Sequence, residues 1–120
     1  MEDKLQAEIV QWFNNQYCLK HHNPRCLIFS IPNGGNRNKI EAMKFKATGL
    51  LAGASDLVVV LPNLITFIEL KTELGTQSEV QKDFEIRVNL LGFEYKIIKS
   101  LNEFKEWLNK KLPSELLQSQ

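Results

Sequence analysis

The chain has 120 residues, 43% of them hydrophobic and 24% charged, with a formal net charge of +1. That composition excludes extended disorder, and no apolar run approaches the ~20 residues that cross a bilayer; a polyanionic partner would have to be read from local charge, not from the total. The length fits one domain over residues 1–112 with a frayed tail over 113–120, and leaves no room for a separate recognition domain.

Residues 3–19 space Leu5, Ile9, Trp12, Phe13 and Tyr17 as one face of a helix. No apolar leader precedes them, so the expected compartment is intracellular, with no membrane partner, and Cys18 and Cys26 are expected as reduced thiols. With His21 and His22 they form C-x-x-H-H-x-x-x-C, which lacks the paired regularity of zinc sites and reads as a polar loop. Residues 26–31 are a short apolar run closed by Pro32-Asn33-Gly34, the pattern of a buried strand. Residues 39–48 read as a short helix stopped by Gly49. Two β-branched runs, 57–61 and 65–71, flank Pro62-Asn63 and predict an antiparallel hairpin. A helix is expected from Gly75 and Thr76 to Leu91, with Val80, Phe84, Val88 and Leu91 on one face and Gly92 as its stop. A strand over 94–99 and a helix over 102–112 complete the order αβαββαβα, an α/β arrangement with a mixed sheet flanked by helices.

The hairpin carries the chemistry. Folding it about residues 62 and 63 brings Asp56 opposite Glu69 and Leu70, and strand alternation puts Phe67, Glu69 and Lys71 on one face and Ile68 and Leu70 on the other. Two neighbouring carboxylates repel unless a cation lies between them, and an oxygen-only donor set suits magnesium or manganese. Such an ion can hold a phosphodiester oxygen and acidify a water, with Lys71 placed to orient that water or to offset charge on the phosphate. The Leu70 carbonyl lies between the two side chains as a further candidate ligand. The competing reading is that Asp56 merely starts a strand and that Glu69 and Lys71 form its solvated face.

Beyond the hairpin, an ordered series of residues is on the page: Glu8, Pro32-Asn33-Gly34 with Arg37, Lys46 to Gly49, Gly53-x-Ser55-Asp56-Leu57, Glu69-Leu70-Lys71, Gly75 with Ser78 and Gln81, and Gly92-x-x-Tyr95. In this series the chain resembles the virus-type replication-repair nuclease (VRR-NUC) family of the PD-(D/E)xK superfamily. The resemblance implies a restriction-endonuclease-like core and a DNA nuclease in which Asp56 and Glu69 bind the metal, Lys71 assists the chemistry, Gln81 supports the site and Glu8 reaches the metal through water. Ser55 stands where the superfamily name has proline, a departure that bears on loop shape, since proline supplies no ligand atom.

Segment 33–55 carries Arg37, Lys39, Lys44 and Lys46 against Glu41, a local charge of +3, and is the expected DNA-backbone surface together with Asn33, Gly34 and Ser55. A solvated helix face and a simple Asn-Gly turn account for the same residues. The leading expectation is a structure-selective endonuclease on branched DNA, resembling a Holliday-junction resolvase and working as a homodimer, with Leu50, Leu51, Trp107, Leu108, Leu116 and Leu117 as interface candidates that core packing explains equally well for the most part. The alternatives are a flap or duplex nuclease and a non-catalytic DNA-binding or assembly module on the same fold.

Overall fold

A computed structural model describes residues 2–32, 43–44 and 46–113. Its elements, in chain order, are α1 (Glu2–Tyr17), β1 (Leu27–Ser30), β2 (Leu57–Leu61), β3 (Leu64–Leu70), α2 (Glu79–Leu90), β4 (Glu94–Ile98) and α3 (Leu101–Lys111). The strands form one sheet in the order β1-β2-β3-β4, antiparallel except for β3 and β4, which run parallel. A parallel pair needs a crossover rather than a hairpin, and α2 supplies it. The architecture is thus a mixed α+β fold with a four-stranded mixed sheet and helices on both of its faces.

One face of the sheet is dry. Ile9 and Phe13 of α1 and Phe104 and Leu108 of α3 have no exposed surface, and they pack with Leu57, Val59, Ile68, Leu70 and Ile98 into a single cluster. Phe104 meets Phe13 edge-on with ring centroids 5.9 Å apart, a favoured aromatic geometry. Trp107 and Leu108, expected as interface candidates, belong to this core instead: the helical spacing that suggested an apolar surface turns that surface inward. Leu51 is exposed and Leu50 is half-buried, while Leu116 and Leu117 lie outside the described residues.

The hairpin forms in the expected register. Leu57 pairs with Ile68 and Leu61 with Leu64, so the turn is Pro62-Asn63, and Asn63 takes the left-handed conformation (φ +59°) that asparagine tolerates better than most residues. The helix expected from Gly75 begins later, at Glu79, because Ser78 caps it. Of its expected buried face, only Val88 is buried and Phe84 half-buried, whereas Val80 and Leu91 are 50% and 77% exposed. A lone helix crossing two strands needs only a narrow apolar stripe. The helix expected over 39–48 falls partly outside the described residues; Met43, Lys44, Lys46 and Ala47 are helical, and Gly49 follows at φ +110°. No helix among the described residues is long and apolar enough to cross a membrane.

Candidate active site

Asp56 stands just before β2, where the ladder continues by its backbone alone: its N–H donates to the Ile68 carbonyl at 3.0 Å, and its carbonyl accepts from Ile31 at 2.9 Å. By register it faces Glu69 across the hairpin. Its Oδ2 accepts the Leu70 N–H at 2.7 Å, and Glu69 is within side-chain hydrogen-bonding contact of it. In an extended strand a residue's N–H and C=O lie on the same edge, so the Leu70 carbonyl lies on the Asp56 side of β3. Gly53 sets the approach of this loop. It has φ +82°, and a Cβ there would lie 2.3 Å from the Val80 carbonyl oxygen, so only glycine lets residues 53–56 press against the first turn of α2.

That first turn is built by a capping box, Ser78-x-x-Gln81. The Ser78 hydroxyl accepts the Gln81 N–H at 3.3 Å, and the Gln81 side-chain oxygen accepts the Ser78 N–H at 2.9 Å. The same Gln81 oxygen accepts from the Lys71 ammonium at 2.8 Å, and its amide nitrogen donates to Glu69 Oε2 at 2.9 Å. Lys71 Nζ is itself 3.8 Å from Glu69 Oε2, with its side chain 11% exposed. A local helix signal thus clamps Glu69 of β3 and Lys71 just beyond its end, both of which precede it in sequence. Asp56, Glu69, Lys71 and Gln81 are brought together.

Glu69 is nearly inaccessible, at 1% exposure. Burial, then the neighbouring Asp56 charge and hydrogen bond, push its carboxyl up to about 8, against smaller opposing effects from Lys71 and Tyr95. Glu69 therefore keeps its proton well above the ordinary carboxylate range. Among the described residues no three His, Cys, Asp or Glu side chains are grouped to hold a metal. A divalent ion would rest on two carboxylates and backbone oxygen, a hard donor set that fits magnesium or manganese and not a thiol-loving metal.

Other expected site residues lie elsewhere. Glu8 is exposed on α1 and lines a cleft with Lys4, Lys99 and Asn102. Ser55, expected at the DNA surface, is fully buried, and its hydroxyl donates to the Leu57 carbonyl at 3.3 Å; enclosure behind the loop removes it from any ligand and gives it a turn-shaping place. Lys44 and Lys46 are exposed, while Asn33, Gly34, Arg37 and Lys39 lie outside the described residues. Cys18 and Cys26 are buried thiols, and burial, aided by Cys26, raises Cys18 to about 11.

Two participants were not given a role from the sequence. The Tyr95 hydroxyl donates to Glu69 Oε1 at 3.3 Å, and Gln77 donates to the Tyr95 oxygen at 3.3 Å and to Glu85 Oε1 at 3.0 Å. Burial raises the Tyr95 phenol above its ordinary value, which keeps it a donor. Tyr95 stands in the sequence only as part of Gly92-x-x-Tyr95, with no role attached; its place opposite Phe67 in the parallel ladder needs the strand order to be read.

No family model matches the sequence, and no curated protein matches it either. A solved structure described as a VRR_NUC domain protein is similar over 91% of this chain and 85% of that one, with a TM-score of 0.73 at 22% identity. The chain has the VRR-NUC nuclease-like fold.

Proposed function

We propose that the chain is a metal-dependent endonuclease that hydrolyses phosphodiester bonds in branched DNA, resembling a Holliday-junction resolvase. The observation that carries the reading is the pair of half-buried Asp56 and buried Glu69, in contact with each other, with Glu69 clamped to Lys71 through Gln81. The pair has donors of its own, Gln81 and Tyr95 at Glu69 and the Leu70 N–H at Asp56, and yet its two acids touch each other. The likeness to a VRR_NUC domain protein supports a nuclease and a DNA partner.

Asp56, Glu69 and the Leu70 carbonyl would hold Mg2+ or Mn2+, which when bound supplies polarisation of the phosphodiester and acidification of a water. The chain's own residues do the rest. Gln81 fixes the Lys71 ammonium beside Glu69, where its positive charge faces the phosphate and offsets charge developing on it. Lys44 and Lys46, with Arg37 and Lys39 of the same segment, would track the DNA backbone without reading bases. One domain supplies one such site, and a four-way junction needs two cuts, so the working unit is a homodimer inside the cell.

The test is a panel of labelled four-way junctions, flaps, duplexes and single strands incubated with Mg2+, with light scattering for the oligomeric state. Paired nicks on the junction by a dimer, absent in Asp56→Ala, are expected. Cleavage that survives excess chelator, or that Asp56→Ala retains in full, would sink the catalytic assignment. Junction binding without cleavage would favour a DNA-binding module.

A further inference from the structure

Tyr95 lies on β4, 26 residues from Glu69 in sequence, and its position in the parallel ladder is opposite Phe67. Since side chains alternate along a strand, Phe67, Glu69 and Tyr95 share the face beneath α2. The Tyr95 ring packs edge-on against Phe84 at 6.1 Å, and Phe84 meets Phe67 at 5.8 Å. The ring is thereby fixed, and the hydroxyl is carried along the sheet to the Glu69 carboxylate.

The direction of the hydroxyl proton follows from Gln77. Its side-chain N–H donates to the phenolic oxygen, which occupies an acceptor position and leaves the O–H free to donate to Glu69 Oε1. Gln77 is in turn held by Glu85. On the other side of the carboxylate, Oε2 accepts from Gln81. Each Glu69 oxygen therefore receives one donor from the protein, Tyr95 on one side and Gln81 on the other. A carboxylate has about four lone-pair positions, and those that Tyr95 and Gln81 do not take are left for its contacts with Asp56 and Lys71. Two donors on opposite oxygens fix the plane of the group, and its remaining lone pairs are what a cation between Glu69 and Asp56 would meet.

We propose that Tyr95, directed by Gln77, is a positioning residue that orients the Glu69 carboxylate for a divalent cation. This rests on the metal-dependent reading above and adds to it a residue that touches neither substrate nor ion. A purely packing role for Tyr95 makes a different prediction, because phenylalanine would preserve every ring contact and lose only the hydroxyl.

The experiment is Mn2+ binding to the DNA-free protein by titration calorimetry, alongside cleavage measured across Mn2+ concentrations, for wild type, Tyr95→Phe and Gln77→Leu. Removing an outer partner of a ligand typically weakens metal binding by about 10- to 100-fold. Tyr95→Phe is expected to weaken Mn2+ binding by about 10-fold, to raise the half-saturating Mn2+ for cleavage by the same factor, and to regain turnover as the metal saturates. Gln77→Leu, which keeps the phenol but removes its guide, should shift both in the same direction by a smaller factor. Unchanged Mn2+ affinity in Tyr95→Phe overturns the assignment, as does lost turnover at saturating metal with unchanged affinity. A wild-type protein that binds no Mn2+ overturns the metal reading itself, and this assignment with it.

Discussion

A buried and a half-buried carboxyl on neighbouring strands meet opposite fates. Glu94, at the start of β4, accepts from Thr66 at 2.9 Å and Trp107 at 3.2 Å and pairs with Lys111 at 2.9 Å. Burial raises it, but the hydrogen bonds from Lys111 and Thr66, the Lys111 charge and the Trp107 bond outweigh that and hold it below the ordinary carboxylate value. Glu69, toward the other end of β3, meets donors too, but burial, then the charge and hydrogen bond of Asp56, outweigh them and push it up to about 8. One carboxylate is compensated within the fold, and the other is not.

The sharpest way to break the comparison is to remove each charge in turn. Glu69→Gln should reduce cleavage by about 1,000-fold, as expected when ~4 kcal/mol of transition-state stabilisation is lost at ~1.36 kcal/mol per tenfold, while leaving metal-free thermal stability unchanged or raised. Steady-state cleavage and metal-free melting measure the two halves; a large loss of stability with retained cleavage would reverse the assignment of roles.

Glu94→Ala should show the opposite profile. It strands the fully buried Thr66 hydroxyl and the Trp107 N–H, at a cost of about 2–3 kcal/mol in denaturant unfolding, with the cleavage rate per folded molecule unchanged. A fall in that rate at full folding would tie Glu94 to the site and erase the contrast.

A subtler effect lies in pH. Glu69 is raised in the folded state, so the folded protein keeps a proton that the unfolded chain releases, and metal-free stability should fall as pH rises from about 4.5 to about 8. Glu94 is lowered, so its contribution is present above the unfolded value and is lost as pH falls through the folded one. Melting curves across pH should therefore show the alkaline loss vanish in Glu69→Gln, and shrink in wild type when Mg2+ is added. An alkaline loss that persists unchanged in Glu69→Gln would assign it to another group.

Local signals carried much of this arrangement in the sequence. The Pro62-Asn63 turn and its flanking β-branched runs fix the hairpin register, and that register alone brings Asp56 opposite Glu69. Gln81 was legible through the family resemblance, while the helix start expected at Gly75 passes over the capping box that seats it, Ser78-x-x-Gln81. What could not be read depends on long-range enclosure. Ser55 looks like any polar loop residue until the chain closes around it, and Trp107 and Leu108 present an apolar face whose partner, α1, lies at the other end of the sequence. The hydroxyl of Tyr95 gains its meaning only from the order of β3 and β4. Val80 and Leu91 share the spacing of Phe84 and Val88, yet periodicity does not say how wide a stripe the sheet will cover.

The double duty of Gln81 narrows the alphabet at that position. As the third residue of a capping box, glutamate would serve the helix as well as glutamine does. As the clamp of the site it would not: a glutamate has no N–H to give Glu69 Oε2, and it would set a third acid beside Asp56 and Glu69. Helix rules admit two letters at residue 81, and the chemistry next to it admits one.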